Sequence, residues 1–509
     1  MNRLLTSVLF GLVGINTVIQ ADPTRPRLVV GIVVDQLRSD YLEYLRDLFG
    51  ENGFKLLMDK GVYLRDVDFQ ASELDFPSAA ASAMTGNHPS ANGIIAGMDN
   101  FVSPEQLRLS TICDEVAIDG GGMSVIYSIA PDAATSSILA GHAGNSAVWI
   151  SPEKGNWTTS TYFGQLPQPA ASANQQKPLS SRIDTIRWKP LLPVEKYPGI
   201  PAQKKFYDFS YTFPRSDKNS YHRFAASPMV NREITDLAID YLRALKLGNR
   251  SEAIDVLNIG YTAAPYKFQD DTDYRLELED SYIRLDSQLA RLFDAIKKYV
   301  GFDNTLVYLT STGYYDDASV DDPKFRIPTG ELSVKRMTSL LNSFLTAKYG
   351  NGDYIEKYTR GRITLNRHTL DNKRVDPTEA AEEARTFLSK MQGIAKAYTL
   401  PEILSPLTPD IDGLRMSVSA DAGGDIFVTF TPGWTVTEDL KYPSTSRSIR
   451  SAIVSTPALI MAPELAPQTI NNSVNSSTLA PTITGLLHIR SPNGTISRPL
   501  MLTQKASLK

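Results

Sequence analysis

The feature that most constrains the fold is the apolar run LVVGIVVD at Leu28–Asp35. Six of its first seven residues are leucine or β-branched, a pattern typical of a strand buried on both faces of a parallel sheet. In such sheets the ligand site lies beyond the carboxyl ends of the strands. The position of Asp35 therefore suits a metal ligand or a catalytic carboxylate, and it equally suits a cap for the following helix.

Helix and strand patterns alternate after this run. Helical periodicity occurs at residues 41–60, 231–247 and 279–300. Apolar strand-like runs occur at residues 124–129, 253–259 and 305–309. This alternation predicts an α/β fold with a mostly parallel sheet between layers of helices. Residues 164–221 are rich in Pro, Ser, Gln and Lys without clear periodicity. We predict that they form an extended surface excursion.

The pattern changes between residues 323 and 434, where two amphipathic helices flank short strand-like segments. We interpret residues 323–434 as an inserted α+β cap subdomain over the strand ends. The core would then consist of residues 22–322 and 435–509, preceded by a separate segment at 1–21.

Residues 1–21 have the pattern of a secretory signal. Arg3 precedes an apolar stretch too short to span a bilayer, and small residues precede Asp22. An uncleaved membrane anchor is the alternative. No cysteine lies near the cleavage point, and the single Cys113 cannot form an internal disulfide. We therefore expect a periplasmic or otherwise exported protein that is not a lipoprotein and has no transmembrane span after cleavage.

Several segments, in order along the chain, carry a family resemblance. They are PRLVVGIVVDQLRSDYL, ASAMTGNHPSANGIIAG, LSTICDEV, ILAGHAGNSAVW, LEDSYIRLDSQLARLFDAI, VSTPALIMAP and LAPTITGLLHIRSPNG. Together they resemble the alkaline phosphatase superfamily, in particular bacterial periplasmic phosphomonoesterases related to type I phosphodiesterases and nucleotide pyrophosphatases. The resemblance implies an alkaline-phosphatase-like sheet with an inserted cap. It also implies phosphate-ester hydrolysis by a Ser or Thr nucleophile and two zinc ions in members with a complete site.

The resemblance further implies six Asp or His zinc ligands, because each zinc needs about three protein ligands. Asp35 matches the first of them and is the only family ligand that survives. The other five positions fall on residues that do not suit zinc, namely Thr262, Tyr266, Thr312, Gly313 and Ser446. We therefore predict that the two-zinc site is lost.

The nucleophile and phosphate-binding positions also depart from the family pattern. The nucleophile segment reads LDFPSAAA at residues 74–81, with neither the hydroxyl nor the histidine in place. Ser78 is a displaced candidate nucleophile, and packing at the start of a helix is the alternative that we favour. The expected Lys-x-Arg pair is missing near residues 131–133, and the expected asparagine falls on Met98.

Other residues offer little for a replacement site. The acidic stretches at 269–273, 316–317 and 321–322 suit either calcium ligands or solvated loop charges, and we favour the latter. The five histidines lie in different segments without metal-ligand spacing, which favours structural or surface roles. These histidines are His88, His142, His222, His368 and His488.

The losses are concentrated in catalytic motifs, whereas the neighbouring scaffold motifs persist. This contrast favours an exported pseudo-phosphatase that needs no cofactor and acts as a binding or scaffold component with a protein partner in the bacterial cell envelope. The alternative is an active zinc-dependent phosphatase or phosphodiesterase with a rearranged site. The net charge of −4, without long charged runs, argues against a nucleic-acid partner.

Overall fold

The computed structural model describes residues 25–98, 101–200, 208–268, 274–316, 329–419, 421, 423–438, 446–449 and 454–505. The predicted signal at residues 1–21 and the acidic residues at 269–273, 317 and 321–322 lie outside these ranges.

The strands are β1 (Leu28–Asp35), β2 (Val62–Leu64), β3 (Val67–Asp68), β4 (Ile126–Ala130), β5 (Ser146–Ile150), β6 (Trp157–Thr158), β7 (Arg187–Trp188), β8 (Tyr211–Thr212), β9 (Asp255–Thr262), β10 (Thr305–Ser311), β11 (Gly330–Ser333), β12 (Ile355–Thr359), β13 (Arg362–Leu365), β14 (Ile394–Thr399), β15 (Ile426–Phe430), β16 (Trp434–Thr437), β17 (Ser446–Ser448), β18 (Ala458–Met461), β19 (Gln468–Ile470) and β20 (Val474–Asn475).

The helices are α1 (Ser39–Tyr44), α2 (Phe54–Lys60), α3 (Phe76–Thr85), α4 (Pro89–Asn92), α5 (Ile112–Asp119), α6 (Ala133–Ala140), α7 (Gln168–Gln176), α8 (Leu179–Arg182), α9 (Ser220–Ala225), α10 (Met229–Ala244), α11 (Arg275–Tyr299), α12 (Val334–Tyr349), α13 (Arg367–Lys373), α14 (Pro377–Leu388), α15 (Leu400–Leu404), α16 (Asp412–Ser417) and α17 (Leu479–Leu486). None of these helices is long and apolar enough to cross a membrane.

A nine-stranded sheet, in the order β19-β2-β18-β10-β1-β9-β4-β5-β6, organises the core. The five strands from β10 to β5 in this order run parallel, and β18 and β6 add antiparallel pairings. The predicted α/β fold with a mostly parallel sheet is therefore confirmed. Strand β1 lies at its centre, so Asp35 occupies the middle of the edge where the parallel strands end.

Helices cover both faces of this sheet, and β1 therefore has buried side chains on both sides. Leu28, Val30 and Ile32 pack in the cluster that includes α10 and α11. Val29 and Val33 pack in the cluster that includes α3, α5, α6 and α17. The near-continuous apolar run therefore reflects a strand that is buried on both faces.

The single helix predicted at residues 41–60 is wrong. The chain forms α1, a short 3₁₀ turn and then α2, with a break between Phe49 and Gly53. The Asp286 carboxylate accepts hydrogen bonds from the backbone N–H groups of Gly50 and Phe54, both at 2.8 Å. This distant carboxylate and the glycines at the break stabilise an interruption that local periodicity does not reveal.

The surface excursion predicted at residues 164–221 is also wrong in part. The segment contains α7, α8 and the antiparallel pair β7–β8, and it buries Trp188 and Phe213 completely. The buried carboxylate of Asp280, on α11, accepts hydrogen bonds from Trp188 Nε1 (2.6 Å), Leu191 N–H (2.6 Å) and the Tyr197 hydroxyl (2.7 Å). These bonds hold much of the segment against the core.

The inserted segment forms a second, smaller core. Its four-stranded sheet, in the order β12-β13-β15-β14, packs against α12 and α14. A separate three-stranded sheet, in the order β11-β16-β17, spans the proposed boundary at residue 434. We refer to the four-stranded sheet with its helices as the cap.

Candidate functional site

The carboxyl ends of β1, β9 and β10 converge at the centre of the sheet. In the parallel registers, Asp35 pairs with Thr262 and Val34 pairs with Ser311. The predicted positions Asp35, Thr262, Thr312 and Gly313 therefore lie at one edge, where α/β sheets bind ligands.

Two hydroxyl groups are hydrogen-bonded to the Asp35 carboxyl. Oδ1 accepts from the Tyr314 hydroxyl at 2.6 Å and from the Thr312 hydroxyl at 3.3 Å. The Thr312 oxygen in turn accepts from the Gln36 backbone N–H at 2.8 Å. Burial raises the pKa of Asp35 to about 7, and the hydrogen bond from Tyr314 opposes part of this rise. Burial thus disfavours the charge of this carboxyl, and the two hydroxyl donors offset only part of that effect.

Gly313 is closely covered by Phe69. Its φ of +70° lies in the left-handed region, and a Cβ built on it would lie 2.2 Å from Phe69 Cδ2. Phe69 is itself almost fully buried. Neither aspartate nor histidine can therefore occupy position 313 without a shift of Phe69.

The end of β9 is occupied by structural contacts. The backbone of Thr262 forms two hydrogen bonds with the Asn231 side chain, at 2.8 and 3.0 Å. Tyr266 is buried in an aromatic cluster, with ring centroids 5.2 Å from Trp188 and 5.0 Å from Tyr211. Ser446, the remaining predicted position, begins β17 and pairs with Thr437 of β16.

Ser78 belongs to the capping box of α3. Its hydroxyl donates to Asp75 Oδ1 at 2.7 Å and accepts from the Asp75 backbone N–H at 2.9 Å. Asp75 Oδ2 accepts from the Gly97 N–H at 2.6 Å. The Ser78 side chain is completely buried, so its hydroxyl serves the start of the helix in this arrangement.

A second carboxylate caps α6, where the Lys-x-Arg pair was expected. Asp132 accepts a hydrogen bond from the Thr135 backbone N–H at 2.8 Å, and burial raises its pKa. Aspartates therefore cap both α3 and α6. A negatively charged group at a helix N-terminus takes the position that a bound anion would favour.

Charged residues from the cap and from several core segments form a partly buried network near Asp35. Asp316 Oδ2 lies 3.4 Å from Arg360 Nη2 and 3.8 Å from Lys267 Nζ. Burial alone would raise the pKa of Asp316, but the positive charges of Arg360, Lys267 and Arg447 lower it below its usual value. Arg447 donates to Glu73 at 2.6 Å. Tyr314 and Arg360 are not among the residues predicted from the sequence, although the Arg360-Gly361 pair is a visible signal of a tight turn.

The residues at the strand ends do not fit a two-zinc centre. Among the described residues, no group of three or more His, Cys, Asp or Glu side chains could hold a metal ion. Asp35 is accompanied by hydroxyl groups, whereas zinc sites are built from Cys, His, Asp and Glu. Among the described residues at this edge, Asp35 is therefore the one member of the implied ligand set.

Three of the histidines have contacts that do not involve Asp35. His222 stacks edge-on against Phe268, and His368 lies within hydrogen-bonding distance of Asn372. His142 Nδ1 lies 3.0 Å from Asp114 Oδ2, and its Nε2 lies 3.1 Å from the Leu107 carbonyl oxygen. Because both partners accept hydrogen bonds, the protonated imidazole satisfies both.

The His142–Asp114 pair predicts a pH dependence of stability. The Asp114 carboxylate raises the pKa of His142, and despite burial the hydrogen bond from His142 helps to lower the pKa of Asp114. The contribution of protonated His142 to the free energy of unfolding is fully present below its unfolded pKa of about 6.5. It disappears as pH rises through the raised pKa of the folded state. The contribution of ionised Asp114 to the free energy of unfolding is present above an unfolded pKa of about 4. It disappears as pH falls through the lowered pKa of the folded state.

We therefore expect His142→Gln to lower the free energy of unfolding more at pH ~5.5 than at pH ~8.5. Because His142 is partly exposed, we expect a difference of roughly 1 kcal/mol or less. Urea unfolding at both pH values measures the difference, with the exposed His488→Gln as control. An equal effect of His142→Gln at both pH values would contradict the assignment.

A cavity of about 570 Å³ lies between the cap and the core. Its wall includes Gly97 and Phe101 from the core and Lys357, Thr359 and Arg362 from the cap. It is mainly polar, and it provides a surface on which the two parts of the chain together can contact a ligand or partner.

Comparisons with known proteins agree with this architecture. The model of the type I phosphodiesterase / nucleotide pyrophosphatase family matches residues 29–452. A calcium-transporting ATPase of Myroides odoratus is 26% identical, over 94% of each chain. Alkaline phosphatase PafA of Elizabethkingia meningoseptica is also 26% identical, again over 94% of each chain. The crystal structure of wild-type PafA superposes with a TM-score of 0.80 at 24% identity, covering 94% of this chain and 98% of PafA.

Proposed function

The chain belongs to the type I phosphodiesterase / nucleotide pyrophosphatase family within the alkaline phosphatase superfamily, and we propose that it is an exported pseudo-phosphatase of this family. In this proposal the protein has lost the two-zinc site and acts as a binding or scaffold component of the bacterial cell envelope. Its partner is another envelope protein.

The observation that carries the proposal is how the strand-end positions are filled. Hydroxyl groups of Tyr314 and Thr312 contact Asp35, and Phe69 blocks a side chain at position 313. Two-metal phosphoryl transfer needs ligands that converge from several strand ends to hold both ions. The filled positions therefore favour a protein that keeps the fold but does not carry out phosphoryl transfer.

The electrostatics support the same proposal. Phosphoryl transfer needs positive charge or hydrogen-bond donors where negative charge develops on the phosphate. The starts of α3 and α6 are instead capped by the carboxylates of Asp75 and Asp132. These carboxylates use helix N–H donors and would repel an anionic ester.

The alternative is an active metal-dependent hydrolase with a rearranged site. The names of relatives such as alkaline phosphatase PafA favour it. It would require ligands from outside the described strand ends, and the acidic residues at 269–273, 317 and 321–322 are the candidates in the sequence.

Turnover of 4-nitrophenyl phosphate and bis(4-nitrophenyl) phosphate separates these functions. We expect the purified protein, supplied with zinc, to release nitrophenol no faster than the same protein treated with a chelator. Zinc-dependent turnover of either ester that a chelator abolishes would establish the alternative and overturn the pseudo-phosphatase.

The scaffold role has its own test. Crosslinking in intact cells, followed by affinity purification of the tagged protein, is expected to recover one protein at constant stoichiometry from the envelope fraction. Recovery of only the solitary chain, with a tag at either end, would count against a scaffold role.

A further inference from the structure

The turn between β12 and β13 of the cap places an arginine in an unfavourable backbone conformation. Thr359 pairs with Arg362, so only Arg360 and Gly361 form the turn, with φ of +43° and +81°. Two positive φ angles are typical of a type I′ turn, in which asparagine or glycine is preferred at the first position. An arginine with positive φ indicates that its surroundings hold it there.

Those surroundings are the core, on the far side of the cap–core boundary. Arg360 Nη1 donates to the Leu74 carbonyl oxygen at 3.0 Å, and Nη2 lies 3.4 Å from Asp316 Oδ2. Leu74 immediately precedes Asp75, the cap of α3. The guanidinium therefore connects the start of α3 with the segment that follows β10.

The residues on either side of the turn hold it close to the core backbone. Arg362 Nη2 donates to the Ala96 carbonyl oxygen at 2.6 Å. A Cβ on Gly97 would lie 2.3 Å from Thr359 Cγ2, so the hairpin approaches the core backbone closely. The tip is thus held on both sides of Arg360, which directs the guanidinium into the cleft beside Asp35.

This cleft contains carboxylates that require a counterion. Asp316 is 9% exposed and the Arg360 side chain is 23% exposed. Asp75 and Glu73 also interact electrostatically with the same guanidinium. Buried carboxylates without a cation are strongly unfavourable, because desolvation removes the water that would stabilise their charge.

We propose that Arg360 is a built-in cation of the strand-end cleft, and that its guanidinium, beside the ammonium group of Lys267, compensates Asp316 and the neighbouring carboxylates while it docks the cap on the core. The cation that occupies this site is a side chain of the protein itself. The inference rests on the proposed function in one respect, namely that no metal ion supplies this positive charge.

Chemical rescue tests the proposal. Arg360→Ala should leave a guanidinium-sized gap beside Asp316, and we expect the Tm to fall by several degrees. Millimolar methylguanidinium should then raise the Tm of Arg360→Ala while leaving that of the unmodified protein unchanged. Sodium chloride at the same ionic strength should not reproduce this rise, because screening does not replace the hydrogen bonds to Leu74 and Asp316.

Arg385→Ala is the matched control. Arg385 forms ion pairs with Glu382 and Glu402 inside the cap and does not contact the cleft residues described above. We expect a small loss of Tm and no response to methylguanidinium. Arg360→Lys should retain part of the Tm, because lysine keeps the charge but lacks the planar fork that reaches two acceptors.

A double-mutant comparison keeps the test valid if Arg360→Ala folds poorly. Combining Arg360→Lys with Asp316→Asn should give a smaller loss of Tm than the sum of the single losses, because the two charges interact. Additive losses, or an Arg360→Ala protein with unchanged Tm, would overturn the proposal. So would a folded Arg360→Ala protein that methylguanidinium fails to stabilise.

The same samples separate this proposal from the proposed function. Zinc-dependent hydrolysis by the unmodified protein would overturn the pseudo-phosphatase and leave the rescue result to decide the role of Arg360. Failure of rescue in a protein without turnover would overturn only the role of Arg360.

Discussion

Alanine at position 313 is expected to lower the free energy of unfolding by roughly 2–5 kcal/mol, the sum of a left-handed backbone penalty and overpacking. Gly313 has φ of +70°, and its added methyl group would lie 2.2 Å from Phe69 Cδ2. Phe69 is buried, so it cannot move away into solvent. Urea unfolding of Gly313→Ala measures the effect.

Gly121→Ala is the matched control for this prediction. Gly121 has a similar φ of +57°, but an added Cβ would have nothing within 4 Å. It should therefore cost only about 1–2 kcal/mol, the backbone penalty alone. In a Phe69→Ala background, Gly313→Ala should cost less than in the unmodified protein, because the clash is absent. Equal costs for Gly313→Ala and Gly121→Ala would show that Phe69 does not close this position.

The second large effect is expected at Asp280, which anchors residues 188–197 to α11. Asp280→Ala removes the acceptor for Trp188, Leu191, Tyr197 and Arg284, whose Nε lies 2.5 Å from the carboxylate. Leaving these donors unpaired should lower the free energy of unfolding by roughly 3–5 kcal/mol. Limited proteolysis should also become faster within residues 188–197.

The exposed Asp294, on the same helix, provides the control. Asp294→Ala should change the free energy of unfolding by about 0.5 kcal/mol or less. Asp280→Asn should give an intermediate loss, because the amide keeps one acceptor oxygen. If Asp280→Ala and Asp294→Ala are equally stable, the buried carboxylate does not hold this segment. The anchor concerns the site because Trp188 packs against Tyr266, one of the positions where the family resemblance implies a ligand.

The sequence predicts those parts of the fold that depend on local periodicity. The run at β1, the strands β9 and β10 and the long helix α11 each repeat their apolar residues over enough positions to be recognised. Asp35, Thr262, Thr312 and Gly313 lie at one edge because the strands that lead to them run parallel. This placement does not depend on side-chain contacts.

The sequence fails to predict elements that depend on one distant partner. Asp286 stabilises the break between α1 and α2, and Asp280 anchors residues far from it along the chain. Neither interaction leaves a periodic pattern in the segment that it stabilises. The same reason applies to Arg360, whose position depends on a turn in the cap and on acceptors in the core.

The contents of the candidate site show the same division. The absence of the family's ligands at five positions is visible in the sequence, but what occupies their space is not. Phe69 against Gly313 and the aromatic cluster around Tyr266 are tertiary contacts. These contacts indicate that side chains pack this edge of the sheet, and they argue against a vacant metal site there.

Zinc binding by the metal-free protein tests the central claim most directly. Equilibrium dialysis against zinc, with Asp35→Asn in parallel, counts the ions bound per chain and shows whether Asp35 holds any of them. We predict less than one bound zinc ion per chain, and the same value for Asp35→Asn. Two zinc ions per chain that are lost in Asp35→Asn would contradict the account.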